Sequence, residues 1–85
     1  MTEMALKTYF EKLSDKIMRS ALTPEQAVSV LHYLRRTYSP KTDAGKVYSK
    51  VMIDTGAGES LMMIAQFANG QSEPEQFARD FVKLQ

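Results

Sequence analysis

The constraint that most narrows the fold of this chain is the spacing of its apolar residues, which recur three and four positions apart and never alternate strictly in twos. Leu6, Tyr9, Phe10, Leu13, Ile17 and Ala21 follow that spacing, with Lys7, Glu11, Lys12, Asp15, Lys16 and Arg19 between them. An apolar stripe on a polar cylinder is the signature of an amphipathic helix, here over residues 4–21. Leu22-Thr23-Pro24-Glu25-Gln26 then supplies a capping hydroxyl, a proline where the first helical turn misses no donor, and a glutamine three residues after the cap. A second helix therefore starts at Pro24, buries Ala27, Val30, Leu31, Leu34 and Tyr38, and stops before Pro40, which pushes Ser39 out of the helical region.

Ser39-Pro40 is also a candidate restart, but the next apolar stripe is Ala44, Val47, Tyr48, Val51 and Met52, which places a third helix at about residues 42–54. Gly45 interrupts it at a cost of ~1 kcal/mol relative to alanine. Thr55-Gly56-Ala57-Gly58 reads as a flexible break. Leu61, Ile64, Ala65 and Ala68 mark a fourth helix ending at Asn69-Gly70. Ser72 with Glu75 reads as a capping box for a last helix carrying Phe77, Ala78, Phe81, Val82 and Leu84 to the terminus.

No segment has the period of a half-buried strand. The fold class expected is all-α: a compact bundle of four to five short helices in a single domain spanning residues 1–85. A chain of 85 residues supports one core and not two. Connections of roughly 2–5 residues favour sequential helices packing antiparallel, as a bundle or an orthogonal helical domain. Thr23-Pro24-Glu25-Gln26 and Glu73-Pro74-Glu75-Gln76 echo one another, as a repeated helical hairpin or, more readily, two favoured helix starts would. The hairpin of residues 61–84 distantly resembles helical pairs of bacteriocin-immunity proteins, without a diagnostic residue to carry a function across.

Catalytic chemistry is poorly supplied. There is no cysteine, which removes disulfides, thiolate nucleophiles and sulfur-ligated metals, and there is one histidine. His32 has Arg36 where a second ligand would stand four residues on, and Glu11 with Asp15 is surrounded by cations that compensate it. The glycine-containing turn at 39–46 lacks the preceding strand and first glycine of a phosphate loop, and the one at 56–60 places Glu59 where an anion would sit. Residues 69–77 lack the alternating carboxylates of a calcium loop. No metal, cofactor or enzymatic activity is expected. No stretch approaches the roughly 18 apolar residues of a membrane span, and the N-terminus lacks the pattern of a signal peptide, so the expected setting is cytoplasmic, with no membrane partner.

Two features point to a partner. Met52, Ile53, Met62, Met63 and Phe67 cluster around the glycine break, and Ile53 and Met62 fall off the best helical stripes. Adaptable methionine-rich surfaces serve protein recognition, so these five are the candidate protein-binding residues. The net charge of +1 also hides an asymmetry: residues 32–50 hold a balance of +4 and residues 51–85 a balance of −3. Within the basic part Arg35, Arg36, Lys41, Lys46 and Lys50 interleave with Tyr38 and other rings, the composition of a nucleic-acid surface. The expectation is a small non-enzymatic protein-binding module, an adaptor, inhibitor or regulator whose partner is another protein or a second copy of itself. The alternative is a nucleic-acid-binding regulator that uses residues 32–50.

Overall fold

Each of the first three helices begins at a threonine, and each threonine does the same work. The structure, a computed structural model, describes residues 2–84. Helix α1 spans Glu3–Arg19, with Thr2 accepting from the Ala5 amide at 3.1 Å. Helix α2 spans Pro24–Thr37 behind a complete capping box: Gln26 N donates to Thr23 Oγ1 at 3.1 Å, and Thr23 N donates to Gln26 Oε1 at 3.0 Å. Helix α3 spans Asp43–Thr55 and is capped by Thr42, which accepts from Gly45 N at 3.0 Å. Ser39 and Pro40 do not restart the chain as a helix; they lead into a turn in which the Thr42 amide and hydroxyl both donate to the Ser39 carbonyl.

Helix α4, Ala57–Ala65, follows α3 after the single residue Gly56, whose φ of 80° lies in the left-handed region that only glycine enters without strain. The break expected over residues 55–58 is thus one elbow, and α4 begins a full turn before Leu61. Helix α5 is short, Glu75–Phe81, and starts at Pro74 with no side-chain cap. Ser72 does not cap it, because the segment before α5 is held instead by α2. The Glu73 amide donates to the Glu25 carbonyl at 3.2 Å, Ser29 Oγ donates to the Pro74 carbonyl at 3.3 Å, and the Glu25 carboxylate accepts from Asn69 N and Gly70 N at 3.1 and 3.3 Å. The echo between residues 23–26 and 73–76 is therefore not a structural repeat, since the proline stands inside the first turn of α2 and ahead of the first turn of α5.

The sequential pair α3–α4 packs together, but the rest of the packing order departs from the hairpins that the short connections favour. Helix α1 packs on α3 and α4, while α2 packs on α4 and α5. The links explain it: Ser20 and Thr23 are both extended, with ψ of 136° and 160°, so the chain leaves α1 and enters α2 without folding back along the helix it has just left. One core joins all five helices through Phe10, Leu13 and Ile17 of α1, Val30 and Leu34 of α2, Val51 and Met52 of α3, Leu61 of α4 and Phe81 of α5. Rings concentrate at one end, where Phe10 meets Tyr9, Tyr38 and Tyr48 edge-on at 4.9–5.5 Å between centroids.

The last turn is tied to α1. Tyr9 donates to the Val82 carbonyl at 2.7 Å, and the Lys16 ammonium both donates to the Phe81 carbonyl and stands 4.6 Å above the Phe81 ring. A cation at the free carbonyls of a helix end complements the helix dipole, which helps a seven-residue helix persist. Among the described residues no helix is long and apolar enough to cross a membrane.

Candidate protein-binding surface

Helix α4, Ala57-Gly58-Glu59-Ser60-Leu61-Met62-Met63-Ile64-Ala65, is apolar at every position from Leu61 onward. Its inner side spends Ala57 and Leu61 on the core, and Ile64 and Ala65 are half-buried against the same core. Two large side chains are left over: Met62 is 49% exposed and Met63 55%. Phe67, in the turn four residues after Met63, is 70% exposed, and Ile53, near the end of α3, is 77% exposed. Apolar side chains placed in water forgo burial worth ~1.5–3 kcal/mol apiece, so four at the α3–α4 elbow and along α4 constitute a feature in need of a cause.

Met52 does not belong with them. It is 4% exposed, lies in the core, and receives the Ser14 hydroxyl at 3.8 Å from its Sδ. The correction is one of helical phase: Met52 and Ile53 are adjacent in sequence and so about 100° apart around α3, which turns the first toward α1 and the second to solvent. Thr55 closes this corner, its hydroxyl bonded to Val51 O at 2.8 Å and to Ser14 Oγ at 3.1 Å, so the buried Ser14 has polar partners.

The structure also brings α2 to the surface of α4, in antiparallel sense. Glu25, at the start of α2, touches residues 69 and 70, whereas Arg35, near its end, places Nη2 3.4 Å from the Sδ of Met62. Arg35 is not one of the expected protein-binding residues, and nothing in the sequence of α2 alone would have paired it with Met62. Its neighbour Arg36 has a different fate, forming an ion pair with Glu75, which in turn binds Arg79 at 2.7 Å.

The basic-aromatic segment does not assemble into one face. Arg36 is engaged with Glu75, Arg35 sits against Met62, and Lys46 and Lys50 line an open groove of about 900 Å³ between α1 and α3. That groove has an apolar floor of Leu6, Val47 and Val51, but Glu3, Glu11, Asp43 and Asp54 border it beside the lysines. Carboxylates in that number oppose a phosphate backbone. Tyr38 is stacked on Tyr48 at 5.6 Å and set edge-on to Phe10 at 4.9 Å, so its ring is committed to the core rather than presented for base stacking. Burial holds the hydroxyls of Tyr9 and Tyr48 in their neutral form, raising each to about 12, and raises Tyr38 as well.

For the remaining sequence candidates, His32 is exposed, Asp15 pairs with Arg19 at 3.1 Å, and Glu11 borders the α1–α3 groove. Among the described residues no three His, Asp or Glu side chains converge as metal ligands would. Met4 and Met18 on α1 are also exposed, at 79% and 53%; both lie off the apolar stripe of that helix. No known protein family, curated protein or solved structure matches this chain.

Proposed function

We propose that this chain is a small protein-binding module, without catalytic chemistry of its own, that acts as an adaptor, inhibitor or regulator through the outer side of α4 and the end of α3. The observation that carries the reading is the exposure of Ile53, Met62, Met63 and Phe67, each between 49% and 77%, on and beside the most apolar helix of the fold. Rigid helical faces presenting methionine and phenylalanine suit partners of varied shape, because the thioether chain repacks at little cost. The absence of cysteine fits a reducing, cytoplasmic setting. A second copy of the chain is among the partners such a face would accept.

The test pairs Ile53→Glu and Met63→Glu with sedimentation velocity, circular dichroism and affinity capture from the native cytoplasm. Loss of self-association or of a specific captured protein, with helical content retained, supports the reading. Unfolding of both variants would show that these side chains stabilise the fold, and the interface would lose its basis. Tight, steeply salt-dependent binding of short oligonucleotides, abolished by Arg35→Ala with Arg36→Ala, would transfer the function to nucleic acid.

A further inference from the structure

The face between α2 and α4 carries more information than its apolarity, and that information is the state of Arg35. Its guanidinium has five N–H donors in a planar fork that matches a carboxylate. The contact recorded for it is with the Sδ of Met62 at 3.4 Å, and a thioether is a weak acceptor. Among the described residues no carboxylate lies within ion-pair distance of Arg35, although Arg36, one residue on, has Glu75. Arg35 is thus held by contact with an exposed apolar side chain while most of its directional bonding capacity stays open to solvent.

The surroundings give this cation a direction. Val28 and Leu31, both half-buried, share a face of α2 with Arg35 at helical spacing, the side on which Arg35 meets Met62, and the antiparallel run of the two helices brings the start of α2 to residues 69 and 70, just past the exposed Phe67. The result is an apolar strip with a cation beside Met62. Glu59, three residues before Met62, places a negative charge on the turn of α4 beyond that cation. An occupant that offers apolar residues at helical spacing therefore gains most if its acidic side chain stands over Arg35 and not over Glu59.

Resting on the protein-binding function above, we propose that the α2–α4 face receives an amphipathic acidic helix of a partner protein, with apolar side chains on Met62 and, past the end of α4, on Phe67, and a carboxylate paired with Arg35. Helix-in-groove recognition of this kind is read by side chains spaced three and four apart, and an arginine fork on the rim fixes orientation and accelerates encounter.

The test uses two fluorescein-labelled synthetic helical peptides that share leucines at positions i, i+3, i+4 and i+7 and differ in flanking residues, all glutamate in one and all lysine in the other. Fluorescence anisotropy at low salt measures binding to the full chain. The glutamate peptide should bind roughly threefold to tenfold more tightly, a margin suited to a partly screened rim pair, and added salt should narrow the gap. Arg35→Glu should reverse the preference, while Lys12→Glu, which changes net charge equally on α1, should leave it in place. Phe67→Glu should weaken both peptides.

Equal binding of the two peptides by the native chain, both lost in Phe67→Glu, would overturn the role of Arg35 while leaving the apolar interface standing. A preference that responds to Lys12→Glu as much as to Arg35→Glu would also overturn it, by showing that net charge alone decides. Binding of neither peptide would overturn the acidic-helix partner, leaving the wider function to the capture experiment.

Discussion

Replacing Gly45 with alanine should destabilise this protein by about 2–4 kcal/mol, although the substitution removes glycine from inside a helix. Helix propensity alone would make the alanine ~1 kcal/mol better. The structure opposes that gain: a Cβ on Gly45 would stand 1.7 Å from the Ser39 carbonyl oxygen and 2.9 Å from that of Tyr38, where ordinary contact begins at 3.4 Å. Both neighbours are backbone, so no side chain can rotate away. Making room means displacing the turn whose Ser39 carbonyl accepts from Thr42 N at 3.0 Å and Thr42 Oγ1 at 2.8 Å, and with it Tyr38, whose ring is stacked in the aromatic end of the core. Overpacking costs ~1–3 kcal/mol, and two strained hydrogen bonds at about 1 kcal/mol each add to it before the propensity gain is subtracted. Urea denaturation followed by circular dichroism measures the difference, with an unchanged m-value confirming that the native state is the one affected. Gly58→Ala is the control, because its Cβ would meet only the Met52 side chain closely, at 3.3 Å; its effect should stay within about 1 kcal/mol. A Gly45→Ala protein as stable as the native chain, or more so, would refute the close approach of the 38–39 turn to α3.

Thr23→Ala should cost ~1 kcal/mol in the same assay, through loss of the hydroxyl that accepts from Gln26 N. Glu25→Gln should lower stability near neutral pH and flatten the acid limb of a pH–stability profile. Hydrogen bonds from Asn69 and Gly70 hold the Glu25 carboxyl below its ordinary 4.5, so the stability it lends is complete above that value and lost as pH falls through the lowered one. A profile unchanged by the substitution would show that Glu25 does not hold the 66–74 segment. At the alkaline end the sign reverses: Tyr9 and Tyr48 titrate at about 12 in the folded chain against 10.0 in the unfolded one, so stability is complete below pH 10 and falls between 10 and 12. Phenolate absorbance from Tyr9 and Tyr48 and far-ultraviolet circular dichroism should therefore change together in that window, and early ionisation of Tyr9, Tyr38 and Tyr48 with helices intact would contradict their burial.

The parts of this fold that were legible in the sequence are the parts decided locally. Thr23, Pro24 and Gln26 specify the start of α2 within four residues of chain, and the 3.6-residue stripes specify five helices because each stripe lies within its own element. What escaped depends on contacts distant in sequence. Ser72 and Glu75 have the composition of a capping box, yet the 66–74 segment takes its hydrogen bonds from Glu25 and Ser29, more than 40 residues away, and that attachment leaves α5 to begin at Pro74. Gly45 looked like a tolerated flaw in a helix because the Ser39 carbonyl that requires it belongs to a turn whose path no local pattern encodes. The pairing of α1 with α3, in place of α2, has the same origin.

The candidate surface divides along the same line. Ile53, Met62, Met63 and Phe67 could be picked out as surplus to the apolar stripes, since a residue that is off phase on a short helix has few places to go but solvent. Met52 could not be separated from Ile53 by composition or by nearness to the glycine break; only the rotation of α3 against α1 puts one in the core and its neighbour in water. The basic segment presents the opposite case. Residues 32–50 look like one surface when written as a line, but they belong to two helices and the turn between them. Folding sends Arg36 to Glu75, Lys46 and Lys50 to a groove edged with carboxylates, Tyr38 into the core and Arg35 to Met62. A cation taken from a presumed phosphate-binding run and set beside an exposed methionine changes the partner it suits, because an apolar centre with one open guanidinium at its rim discriminates by shape and a single carboxylate, not by the density of negative charge.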